Sequence, residues 1–119
     1  YWRVEAWDDA GDHGISETAC FELAVSMHTG KWIKAPFSQK IHPLFEKKLV
    51  LREGLKKARL YITGLGLYEA YINGEKVGDE YLTPFYNDYN LWIQYQTYDV
   101  TASLHEGKNA LGVMLGAGW

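Results

Sequence analysis

Ala58-Arg59-Leu60-Tyr61-Ile62-Thr63-Gly64-Leu65-Gly66-Leu67-Tyr68-Glu69-Ala70-Tyr71-Ile72-Asn73-Gly74-Glu75-Lys76-Val77-Gly78 sets the fold class. Leu60 and Ile62 alternate with Arg59 and Tyr61, the two-residue period of a half-buried strand over Ala58 to Thr63. Gly64-Leu65-Gly66 interrupts it. This break is too short for a phosphate loop, since it lacks the third glycine and the helix that a dinucleotide site needs. Leu67 to Ile72 reads as the next strand. Asn73-Gly74 follows, and a type I′ turn needs positive φ at both of its central residues, so a tight hairpin is expected there. Lys76 to Leu82 is the expected return strand.

Outward from this hairpin the pattern repeats. Phe45 to Leu51 alternates and ends at a turn, Glu53-Gly54. Trp92 to Val100 is an expected strand rich in Tyr and Gln. Thr101 to Glu106 has room for one helical turn, Gly107-Lys108-Asn109 reverses the chain, and Ala110 to Leu115 makes a last apolar strand. Further upstream, Trp2, Val4 and Ala6 alternate with Arg3 and Glu5, and Phe21, Leu23 and Val25 share one face of Cys20 to Val25. A loop of turn-forming residues, Asp8 to Gly14, joins these two as a long-looped hairpin. No stretch sustains a 3.6-residue period. The expected fold is all-β, an antiparallel β-sandwich of jelly-roll type preceded by a terminal hairpin. The expected domains are residues 1–25, a linker over 26–43 carrying Gly30, Pro36 and Pro43, and a sandwich over 44–119 that stops before its final strands.

Composition excludes several functions. Twelve basic and fifteen acidic residues give a formal charge of −3, which offers no basic surface for nucleic acid. No apolar run reaches the roughly 18–20 residues of a membrane-spanning helix. Cys20 is the single cysteine, so no disulfide forms within the chain, and nothing here fixes the compartment. Aromatic residues make up 15% of the chain. Such rings suit pleated surfaces and fill β cores, and they also stack on the C–H faces of sugars.

Two stretches carry a family resemblance. Tyr1-Trp2-Arg3-Val4-Glu5-Ala6-Trp7-Asp8, with Ser16-Glu17 and Phe21-Glu22, looks like the last two strands of a fibronectin type III-like domain. The second stretch starts at Ala58 and runs through Leu82-Thr83-Pro84, Asp88-Tyr89, Gln94 to Thr101 and Glu106 to Ala110. It ends at Leu115-Gly116-Ala117-Gly118-Trp119. It closely resembles the N-terminal β-sandwich of bacterial α-L-rhamnosidases, glycoside hydrolase family 78, and Lys31-Trp32-Ile33 matches the linker before it. One motif departs: the family commonly reads Pro-Gly-Trp-Thr-Asp-Tyr where this chain has Pro84-Phe85-Tyr86-Asn87-Asp88-Tyr89.

The resemblance implies a parent enzyme that hydrolyses α-L-rhamnosides with inversion. The catalytic carboxylates would lie in an (α/α)6 barrel downstream in the same polypeptide, with space between them for water. The 119 residues are expected to be inactive. Asp79 and Glu80 are neighbours in an expected strand and would point to opposite faces. No Gly-x-Ser-x-Gly motif surrounds a serine. His13, His28, His42 and His105 have no metal-ligand spacing. No cofactor is expected, with one candidate exception. Asn87, Asp88 and Asn90 place oxygen-bearing side chains beside Tyr86 and Tyr89, and some family sandwiches bind rhamnose through calcium. Tyr86, Asn87, Asp88 and Tyr89 are therefore the candidate carbohydrate-binding residues, and Asn87 and Asp88 the candidate calcium ligands. Turn formation alone also accounts for Asn and Asp after Pro84. Three roles stay open: an accessory domain serving the barrel, an independent carbohydrate-binding module, and a ligand-free scaffold.

Overall fold

The computed structural model describes residues 1–23, 30–37 and 41–118, and every regular element among them is a strand. Two compact units result, Tyr1–Lys34 and Ala35–Trp119.

In the first unit, β1 (Glu5–Trp7) pairs antiparallel with β2 (His13–Ile15), and an isolated bridge joins Trp2 to Ala19. The return strand therefore comes earlier than the expected Cys20 to Val25. Asp8 closes the turn at once: its Oδ1 accepts the backbone N–H groups of Ala10 and Asp12, both at 2.9 Å. Gly11 takes the left-handed backbone that such a turn requires (φ 86°). Trp7 then stacks on His13 with ring centroids 4.7 Å apart. Phe21 and Leu23 are left exposed outside any strand. Ala24 and Val25, the end of the expected strand, lie outside the described residues.

The second unit holds β3 (Leu44–Leu51), β4 (Arg59–Ile62), β5 (Leu67–Ile72), β6 (Glu75–Lys76), β7 (Gln96–Asp99) and β8 (Gly107–Gly116). A four-stranded antiparallel sheet runs in the order β3-β8-β5-β6, and β4 pairs antiparallel with β7 in a second sheet. The register sets Tyr68 opposite Leu115, Ala70 opposite Val113 and Ile72 opposite Leu111. These six share one face, because side chains opposite each other in a pair point the same way. Tyr68, Ala70, Ile72 and Val100 form the buried core. The Tyr68 hydroxyl donates to Gln96 Oε1 at 2.6 Å and so ties the first sheet to the second. Burial above all raises the Tyr68 phenol far beyond its ordinary range, so it stays a neutral donor.

Three expected elements are shorter or absent. The strand expected over Trp92 to Val100 begins only at Gln96, because Gln94 spends its N–H on Asn87 and its carbonyl accepts from Thr63 Oγ1. The return strand after Asn73-Gly74 ends at Lys76. Val77 still donates to Ala70 O, and Gly78 then turns the chain at φ 74°. A Cβ at Gly78 would strike the Glu80 carboxylate and the Tyr98 ring. Thr101 to Glu106 forms hydrogen-bonded turns without a helix.

Candidate functional site

The long connection between β6 and β7 is where side chains are most oddly sorted. Its small and polar residues lie inside. Thr83 and Pro84 are buried, Thr83 Oγ1 donates to Tyr68 O at 2.6 Å, and the Tyr68 N–H donates to Thr83 O at 2.7 Å. Asn87 is only 3% exposed; its Oδ1 accepts Gln94 N at 2.6 Å and its Nδ2 donates to Phe85 O at 3.2 Å. Gln94 Nε2 donates to Tyr86 O at 2.9 Å. The large apolar residues lie outside: Tyr81, Leu82, Phe85, Tyr86, Leu91 and Trp92 are all exposed. Leu82 and Phe85 also hold left-handed backbone, with φ of 58° and 69°. Phe85 occupies the position that the resembled family commonly fills with glycine, and this φ gives the physical reason for that preference.

The four candidate carbohydrate residues are thus divided. Tyr86 is 65% exposed, and Asp88 is half-buried with Oδ1 accepting the Asn90 N–H at 3.0 Å. Asn87 points inward with both ends of its amide occupied, so a ligand there would have to displace Gln94 or Phe85. Tyr89 is half-buried, and its hydroxyl lies where a Cβ on Gly118 would fall. Trp119 lies outside the described residues.

Three carboxylates of the second unit, Glu69, Glu80 and Asp99, are engaged by neighbouring side chains. Glu69 accepts from the Tyr71 hydroxyl at 2.6 Å and pairs with Lys76 at 3.8 Å. The hydrogen bond to Glu69 raises the Tyr71 phenol above its usual range. Glu80 Oε2 accepts from Tyr98 at 3.3 Å, and burial followed by the Glu80 charge raises that phenol too. Asp99 accepts from Thr101 Oγ1 at 2.6 Å and from the Thr101 N–H at 3.0 Å, and it pairs with Arg59. The Thr101 hydroxyl leads these causes in lowering the Asp99 carboxyl to about 2. Among the described residues, no three His, Cys, Asp or Glu side chains converge as metal ligands.

One feature escaped the sequence reading. An open hollow of about 330 Å³ lies on the outward side of β5 and β8, lined by His42, Leu67, Glu69, Tyr81, Leu82 and Met114 among others. Leu67 and Met114 fall on the strand face opposite Tyr68 and Leu115. Strands apolar on both faces carry the only signal for it, and that signal does not name the residues that close the rim.

The sequence profile of the alpha-L-rhamnosidase N-terminal domain family matches residues 53–119. The chain belongs to this family. An alpha-L-rhamnosidase of Streptomyces avermitilis is 38% identical over 119 residues, covering 99% of this chain and 11% of its own length. A second, from Formosa agariphila, is 31% identical and covers all of this chain and 15% of itself. The chain thus spans only 11% and 15% of the length of these two relatives. Among solved structures, the alpha-L-rhamnosidase of Dictyoglumus thermophilum superposes with a TM-score of 0.63 at 49% identity, over 65% of this chain and 9% of that one. The Streptomyces avermitilis enzyme complexed with L-rhamnose gives 0.61 at 47% identity, over 64% and 7%.

Proposed function

We propose that this chain is a non-catalytic accessory region of an α-L-rhamnosidase, supporting a catalytic (α/α)6 barrel elsewhere in the same polypeptide. The family match over residues 53–119 carries this reading. The small share of each relative covered by the chain, and the engagement of Glu69, Glu80 and Asp99 with neighbouring side chains, agree with it. Residues 1–25 would then be the closing strands of a fibronectin type III-like domain, 26–43 a linker and 44–119 the sandwich. Deleting residues 1–119 from the whole polypeptide tests the supporting role. A lower thermal midpoint of the remaining enzyme is expected. An unchanged midpoint together with unchanged kcat/KM would overturn it.

A second reading is favoured by the exposed Tyr86 ring beside Asp88. In it the loop contacts a rhamnoside, Tyr86 stacking on the sugar and Asp88 holding calcium or a hydroxyl pair, with Asn87 and Tyr89 setting the loop's shape. Binding would be weak, since one sugar buries little area. L-Rhamnose titrated with and without calcium against the wild type, Tyr86→Ala and Asp88→Ala decides it. Saturable binding lost in both variants supports a sugar site; absent binding, or binding unaltered by both changes, removes it.

A further inference from the structure

We propose that Asn73 is a site of spontaneous deamidation that the native fold holds shut, and that it is converted when the β5–β6 hairpin parts from the connection between β7 and β8. This modification site stands apart from the accessory reading.

The chemistry follows from the next residue. Asn73-Gly74 is the only Asn-Gly pair in the 119 residues. Gly74 has no side chain to shield its backbone nitrogen, and the space beside its Cα is open. Once that N–H is deprotonated, the nitrogen can attack Asn73 Cγ. An N–Cγ bond forms, the Cγ–Nδ2 bond breaks, and the amide nitrogen leaves as ammonia. The five-membered imide then takes up one water at either carbonyl, giving aspartate or isoaspartate. Water is the only co-reactant, and nothing is oxidised or reduced.

Two features of the fold oppose ring closure. The first is the backbone. Asn73 and Gly74 hold φ of 53° and 90°, the two positive values that a type I′ turn requires. Ring closure needs Asn73 Cβ eclipsed with Gly74 N about the Cα–C bond, and left-handed backbone sets these atoms on opposite sides. The second is the partners of the amide. Asn73 is exposed, yet its Nδ2 donates to Ser103 O and to Asn109 Oδ1, both at 2.9 Å, and its Oδ1 accepts the Ala110 N–H at 2.9 Å. Departure of Nδ2 would leave two acceptors without their donor. Asn109 cannot follow a moving partner: it is 4% exposed, and its own Nδ2 donates to His105 O at 2.7 Å and Gly107 O at 3.2 Å. Conversion therefore requires a local opening that frees Asn73 from Ser103, Asn109 and Ala110 together.

The product would oppose reclosure. A carboxylate at this position has no N–H to offer Ser103 O or Asn109 Oδ1, and it sets negative charge against both. Isoaspartate also lengthens the main chain by one carbon at the tip of the turn. Conversion thus leaves a permanent record that the hairpin has opened.

Incubation of the whole polypeptide at mildly alkaline pH, in buffer and in guanidinium chloride, tests this. Mass spectrometry of separated peptides follows the Asn, Asp and isoaspartate forms. Asn73 should convert many-fold faster in denaturant than in buffer, and to both products. Asn87, Asn90 and Asn109, which precede Asp88, Leu91 and Ala110, should lag behind it in denaturant. In buffer, Asn109→Ala should raise conversion at Asn73 several-fold while the thermal transition is retained. Equal rates at Asn73 in buffer and denaturant would overturn the proposal, as would no conversion in either. A folded Asn109→Ala protein that converts no faster would also overturn it; if this variant does not fold, the wild-type comparison decides alone. Asn73→Asp should lower the thermal midpoint by several degrees, and an unchanged midpoint would overturn the barrier to reclosure.

Discussion

At the residue scale, two side chains carry more than their sequence context reveals. Asp99 lies near the end of the strand expected over Trp92 to Val100. In the fold it accepts two hydrogen bonds from Thr101 and pairs with Arg59, and these hold its carboxyl at about 2 against an ordinary 3.8. A depressed carboxyl contributes stability above its unfolded pKa and loses it as pH falls through the folded value. The thermal midpoint should therefore fall between about pH 4 and pH 2, and Asp99→Asn should flatten that part of the profile. An identical slope in the variant would show that Asp99 does not contribute. Phe85 is the second. Its side chain is 43% exposed and its backbone left-handed, so Phe85→Gly removes a strain of about 1–2 kcal/mol, set against the contacts of a partly covered ring. The substitution should leave the midpoint unchanged or raise it in residues 1–119; a clear drop would mean that the ring is holding the loop.

At the element scale, β5 is the strand around which the sandwich is organised. Its alternate residues Tyr68, Ala70 and Ile72 are buried, and it pairs with both β8 and β6. Ile72→Ala should cost about 2–5 kcal/mol, while Val50→Ala on the exposed face of β3 should stay within about 0.5 kcal/mol. Urea unfolding of both variants measures the contrast, and comparable losses would contradict this assignment of faces. Gly66→Ala should be more damaging than its small size suggests, because the new Cβ would collide with the Gly116 carbonyl across the β5–β8 pair. This much was legible from two-residue alternation and the Asn73-Gly74 turn: Leu67 to Ile72 has the same ends in sequence and structure. The earlier return of β2, the late start of β7 and the short β6 were not legible. Each is decided by a side chain reaching across the chain, Asp8 to Ala10 and Asp12, Asn87 to Gln94, and the Tyr98 ring against Gly78. The candidate loop was legible as a loop. Its inverted sorting, with Asn87 inside and Leu82 outside, depends on hydrogen bonds that no local pattern announces.

At the scale of the whole molecule, exposed apolar surface is the informative feature. Large apolar side chains lie exposed in both units: Trp2, Val4, Phe21 and Leu23 in the first, and Leu44, Val50, Tyr81 and Leu82 in the second. Residues 1–119 alone should therefore unfold in a broad transition at low temperature and bind a hydrophobic dye, and a sharp, concentration-independent transition in a monomer would contradict this. The proposed accessory role would set such surface against a larger body, with the chemistry done elsewhere. Hydrolysis of an aryl α-L-rhamnoside by the whole polypeptide and by residues 1–119, at equal molar concentration, measures that division. Turnover should appear with the whole polypeptide and stay at the buffer blank with residues 1–119. Turnover by residues 1–119 that disappears on substituting Glu69, Glu80 or Asp99 would contradict a non-catalytic role.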